Sequence, residues 1–175
     1  DGDDEESRRL FGIVEEGIPY QQAEGFMWGL NQETKTLFIK GGNIGAGKSR
    51  MPWEDDKNTI KSILILEGTK SIGERVFEGL SEVEKIIIPS SVNKIASNAF
   101  TNCNQLERIE VSANNPDYIT EEDVLFNKDK ATLIACPPPK IGIYKVPNGV
   151  IEIGDKAFFG CKHLEKVILP RSVRK

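Results

Sequence analysis

Gly42, Gly47, Lys48 and Ser49 stand in the order G-x-x-x-x-G-K-S, and residues of these types at this spacing can do phosphate chemistry. In a phosphate-binding loop the backbone amides and the following helix N-terminus hold the phosphates. The lysine reaches the terminal ones and the serine hydroxyl holds magnesium. A nucleotide hydrolase using residues 42–49 is therefore one reading of the chain. It requires a strand before the loop and a helix after it. The run at 36–40 supplies the strand, and Ile63 to Leu66, closed by Glu67, imitates a second strand on the magnesium side. The helix fails. Pro52 would fall beyond its first turn, where it removes a hydrogen bond and clashes, at a cost of about 3 kcal/mol. About a dozen residues separate Ser49 from Ile63, and no further βα units follow to complete a nucleotide fold. The competing reading makes the glycines a connection between an N-terminal hairpin (26–30 and 36–40) and the first repeat.

Other reactive residues are sparse. The three cysteines, Cys103, Cys136 and Cys161, are too few and too widely spaced for a disulfide framework or a zinc site. Cys103 and Cys161 read as small core hydrophobes, not as a bonded pair, while Cys136, beside a triple proline, reads as partly exposed. His163 is the only histidine, which excludes a multi-histidine metal site, and it reads as surface. The acidic start, residues 1–9, lacks the order of a calcium loop and reads as a solvated tail. No cofactor and no metal are expected. A net charge of −4 and a pI near 5.2 argue against nucleic acid as a partner. No apolar run reaches the length of a membrane span.

The elements that would have to position any site come from a repeat. Ile72, Ile95 and Ile153 occupy one position of it, and Phe77, Phe100 and Phe158 another. Leu80, Cys103 and Cys161 share a third, and Val83, Leu106 and Leu164 a fourth. The pairs Ile86/Ile88, Ile109/Val111 and Val167/Leu169 follow. The first two copies lie 23 residues apart, and Ile63–Ile65 falls one step further upstream. A short β signal every 23 residues predicts stacked coils that share one core, with their strands in a parallel sheet. Phe77, Phe100 and Phe158 should form one aromatic column inside. The third copy comes 58 residues after the second. The extra length holds two β-like runs, at 124–126 and 132–134, which predict a hairpin bulging from the solenoid.

The signature Ala99-Phe100, Cys103, Leu106, Ile109, Val111 resembles the BspA-type leucine-rich repeats of surface proteins. So do the stretches at 88–92, 115–129 and 146–161, and the lead-in with Trp28, Leu30 and Pro52-Trp53. The likeness covers roughly residues 25–175. It implies a non-enzymatic, cell-surface or secreted module that binds a protein ligand, adhesion to a host or extracellular-matrix protein being the expected role; it names no ligand. The expected architecture is mainly β: a right-handed leucine-rich-repeat solenoid over 60–175 with a β-hairpin insertion at 112–143. An N-terminal β-hairpin cap spans 25–59, behind an acidic lead-in, 1–24. A purely structural spacer is a further reading.

Strand alternation places the expected ligand face. If Ile86 and Ile88 point inward, Lys85 and Ile87 point out. Their counterparts are Ser62 and Leu64, Arg108 and Glu110, and Lys166 and Ile168, with Lys145 from the resumed repeat. This predicts an exposed ladder of three apolar residues, Leu64, Ile87 and Ile168, beside a basic column of Lys85, Arg108 and Lys166. The last stretch, 170–175, copies 89–94 and stops before the counterpart of Ile95, so more repeats, or a covering molecule, are expected there.

Overall fold

The computed structural model describes residues 17–45 and 50–175. Strands β1 (Gln21–Ala23), β2 (Phe26–Asn31) and β3 (Thr36–Lys40) form an antiparallel meander in which Trp28 faces both Gln21 and Ile39. From β3 the chain winds in coils through β4 (Asn43–Ile44), a 3-10 turn (Glu54–Asp56), β5 (Ser62–Ile65), β6 (Ser71–Ile72), β7 (Lys85–Ile88), β8 (Lys94–Ile95) and β9 (Arg108–Val111). Strands β3, β5, β7 and β9 pair in parallel, and the short strands β4, β6 and β8 pair in parallel on another side of the coils. Isoleucine-rich runs suit these strands because branched side chains fit a pleated, buried surface.

The 23-residue step is written into the hydrogen bonds. The Glu84 N–H donates to Lys61 O, Glu107 N–H to Glu84 O, and Asn93 N–H to Lys70 O, at 2.8, 3.0 and 2.9 Å. Side chains use the same step: the buried Asn115 donates to Val92 O at 2.9 Å. Each coil turns just after its aromatic position. Gly79, Asn102 and Gly160 hold left-handed φ values of 78, 63 and 79° there. Asparagine tolerates that conformation better than most side chains.

Trp53 extends the aromatic column by one coil. It stacks on Phe77 at 5.9 Å, and Phe77 on Phe100 at 6.1 Å. The solenoid therefore begins at β3, and Gly42 and Gly45 belong to its first coil. Phe158 does not join this column. It is half-buried in a second core with Val124, Phe126, Leu133, Cys136, Tyr144, Val146 and Val150, its ring 6.1 Å from that of Tyr144.

The insertion explains the split. Strands β10 (Tyr118–Glu121), β11 (Val124–Asn127) and β12 (Thr132–Ala135) form an antiparallel meander, followed by β13 (Gly142–Lys145), β14 (Glu152–Ile153) and β15 (Leu164–Ile168). The hairpin does not bulge from the solenoid. Leu125, with Tyr118, packs into the first core, while Val124 and Phe126 pack into the second. Strand alternation makes the hairpin a wall between two interiors. The Tyr118 hydroxyl accepts the Ile95 N–H at 2.8 Å and ties that wall to the coil before it. Beyond the wall, β12 pairs with β14, and β13 pairs with β15 in a separate parallel sheet.

Candidate functional site

The phosphate-loop residues fall in two groups. Gly47, Lys48 and Ser49 lie outside the described residues, as does the acidic start at 1–9. Gly42 and Gly45 are described, and packing accounts for them. A Cβ on Gly42 would lie 1.7 Å from Gly25 O, and one on Gly45 2.4 Å from a Val76 methyl. The Gly42 carbonyl accepts the Lys70 N–H at 2.7 Å and holds the next coil. After Ser49, Pro52 is followed by the buried Trp53 and a single 3-10 turn. Nothing in the described residues supports the hydrolase reading.

The reactive groups do not converge. Among the described residues, no three His, Cys, Asp or Glu side chains come close enough to hold a metal. His163 is exposed. Cys103 is buried, and that burial raises its thiol pKa to about 12, so it is a core group and not a nucleophile. Cys136 is buried, not partly exposed: the Ala157 carbonyl accepts its N–H at 2.8 Å and draws it beneath the adjacent coil. Burial also raises the Tyr118 and Tyr144 hydroxyls above the ordinary tyrosine range. An open groove of about 780 Å³ beside Trp53, Arg75 and Asn102 contains no such cluster.

The outward sheet face remains, and it differs from the expected ladder. Lys85 stands opposite Arg108, and Ile87 opposite Glu110, across β7 and β9. Leu64 and Ile87, however, are only 1% and 2% exposed. With Phe38 and Leu66 they form an outer apolar cluster, covered by Ile18 and Tyr20 of the lead-in. Ser62 is buried as well. The lead-in lies flat because Gly29 has no side chain: a Cβ there would sit 2.5 Å from an Ile18 methyl. The Lys40 ammonium caps the Tyr20 ring at 3.8 Å, a cation–π contact. Within the lead-in, Ile18 and Tyr20 therefore pack against the sheet and residues 21–23 pair with it as β1. The sequence signal for this cover was the apolar pair Ile18 and Tyr20 just ahead of β1, with Gly29 opposite.

Lys166 does not continue the column of Lys85 and Arg108, because β15 pairs with β13 and not with β9. The β13–β15 face is a second surface. Ile143 faces Lys166 and Lys145 faces Ile168. Ile143 is 63% exposed and Ile168 38%, and Ile141 at the strand's edge is 76% exposed. Ile141 and Ile143 were absent from the expected ladder, although alternation from Tyr144 would have placed Ile143 outward. The unburied part of the expected ladder thus divides into Lys85, Arg108 and Glu110 on one sheet, and Lys145, Lys166 and Ile168, joined by Ile143, on another.

Comparison with known proteins agrees with the coils. The family profile described as "BspA type Leucine rich repeat region" matches six copies over residues 55–141 and 135–175. No curated protein matches the sequence. Among solved structures, a leucine-rich repeat protein from Eubacterium ventriosum aligns with 21% identity and a TM-score of 0.50, covering 88% of this chain and 60% of that one. A leucine rich cell surface protein from Faecalibacterium prausnitzii aligns with 16% identity and a TM-score of 0.45, covering 91% and 73%. The pneumococcal vaccine antigen PcpA aligns with 17% identity and a TM-score of 0.43, covering 89% and 71%. This chain thus spans about three fifths of the first of these.

Proposed function

Given that the chain belongs to the BspA-type leucine-rich repeat family, we propose that it is a non-enzymatic protein-binding module of the cell surface or of a secreted protein. We further propose that it adheres to a host or matrix protein through its β13–β15 face. The surface location and adhesive role are carried over from the family resemblance. The observation that carries the choice of face is the exposure of Ile143 and Ile168 between Lys145 and Lys166 on a hydrogen-bonded sheet. Exposed apolar side chains on rigid strands bind without the ordering cost of a loop, and solenoids commonly use an extended strand face for partners. Flanking lysines would orient a partner more than hold it. Lys85, Arg108 and Glu110 stand on the other, six-stranded sheet and are not part of the proposed face.

The test is surface plasmon resonance of the whole chain over immobilised laminin, fibronectin and collagen. Binding to at least one, weakened tenfold or more in an Ile143→Asp/Ile168→Asp variant that unfolds like the parent, is the expected result. Equal binding by parent and variant would remove this face from the account. Calorimetry with magnesium-ATP addresses the hydrolase reading: no binding heat is expected, and tight binding lost in Lys48→Ala would overturn the non-enzymatic assignment.

A further inference from the structure

Cys136 and Cys161 come together although 25 residues separate them. Cys136 follows β12 directly, and Cys161 lies at the end of the coil that carries Phe158. Both sulfurs converge on one oxygen. The Cys136 thiol lies 3.8 Å from Pro137 O, and the Cys161 thiol 3.7 Å from the same atom. The Cys161 thiol also lies 3.5 Å from Cys136 O. Backbone bonds hold the approach: Cys136 N–H donates to Ala157 O at 2.8 Å, and Cys161 N–H to Phe158 O at 3.1 Å. Cys103 is elsewhere, in the first core, with its thiol 3.0 Å from Phe77 O.

We propose that Cys136 and Cys161 are an oxidation site, which a small-molecule disulfide or a thiol–disulfide oxidoreductase converts to an intramolecular disulfide. Interaction between the neighbouring thiols lowers Cys161 and raises Cys136. Cys161 is also the partly exposed member. It is therefore the attacking group. Its thiolate attacks one sulfur of the external disulfide and expels one thiolate. Cys136 then loses its proton and attacks the Cys161 sulfur of the mixed disulfide, expelling the second thiolate. The protein loses two protons and two electrons, which the external disulfide takes up to become two thiols.

The new bond would clamp the end of the β12 wall to the coil that carries Phe158. The second core lacks the Trp53–Phe77–Phe100 stack of the first, so a cross-link is the reinforcement open to it. In an oxidising compartment the bond would persist, and it would fasten the coil that leads into β15.

The full chain is incubated with a glutathione buffer rich in the oxidised form, then alkylated under native conditions, digested and mapped without reduction. The expected result is one peptide pair joined through Cys136 and Cys161, an intact mass lower by two hydrogens, and Cys103 alkylated only after unfolding. The unfolding midpoint of the oxidised chain should rise by roughly 5 °C over the reduced one. Cys103→Ser should retain the cross-link, and Cys161→Ser should abolish it. Mapping of the unaltered chain decides the matter even where a variant folds poorly. Native alkylation of both Cys136 and Cys161 after the oxidising incubation would overturn the proposal. So would a stable glutathione adduct on Cys161 with no internal bond.

Discussion

Phe38, Leu64 and Ile87 on β3, β5 and β7, and Ile143 and Ile168 on β13 and β15, occupy the same outward side of their strands. The first group is sealed beneath Ile18 and Tyr20; the second is open. The interiors differ in parallel. The first is threaded by three stacked aromatic rings, while the second holds Phe158 and Cys161 half-exposed. The difference teaches that outward apolar residues in a repeat do not by themselves mark a ligand face. On β3, β5 and β7 they anchor the chain's own lead-in, and on β13 and β15 they stay exposed.

The sharpest test of the contrast between interiors is a pair of truncations. Phe77→Ala, at the centre of the stack and 0% exposed, should cost about 3–5 kcal/mol in denaturant unfolding. Phe158→Ala should cost roughly half as much, because fewer atoms pack around it. Equal losses would mean that the two cores are equally tight.

Gly29→Val breaks the seal on the first outward face. Its side chain needs the space of Ile18, so the expected loss is about 1–3 kcal/mol. An apolar dye that ignores the parent at the Phe38–Leu64–Ile87 patch should gain binding. A variant as stable and as dye-silent as the parent would show that the lead-in contributes little.

The cysteines give a pH-dependent contrast. Cys103 releases its proton near pH 9.0 when unfolded and near 12 when folded. Above pH 9 the native state therefore binds more protons than the unfolded state. Stability falls as pH rises through this window, by up to about 1.4 kcal/mol per pH unit. Urea titrations between pH 8 and 11 should show that slope, and Cys103→Val should reduce it. At neutral pH a thiol reagent should modify Cys161 well before Cys103.

The smallest stability effect belongs to the open face. Ile143→Ser with Ile168→Ser should change unfolding free energy by no more than about 0.5 kcal/mol. A large loss would make these residues structural and withdraw them from binding.

Periodicity made the coils readable. The recurrence of Ile72 and Ile95, and of Phe77 and Phe100, encodes local stacking, and stacking depends on near neighbours in sequence. Trp53 was harder to place because its coil is irregular: β3 and β5 pair at a step of 26 residues and β4 and β6 at 28, against 23 for β7 and β9. The insertion was legible as a hairpin, but not as a wall, since only three-dimensional packing assigns Leu125 and Phe126 to different cores. That same long-range placement separated Lys166 from Arg108 and hid Leu64. The exposure of the β13–β15 face was partly legible: alternation puts Lys166 and Ile168 outward and the resumed repeat adds Lys145, while the expected ladder omits Ile141 and Ile143.

Covalent footprinting with a photogenerated carbene, read by mass spectrometry on the native chain, compares the two outward faces directly. Heavy labelling of Ile141, Ile143 and Ile168, with Leu64 and Ile87 unlabelled until the protein unfolds, is the predicted result. Comparable labelling of Leu64, Ile87 and Ile143 in the folded protein would contradict it.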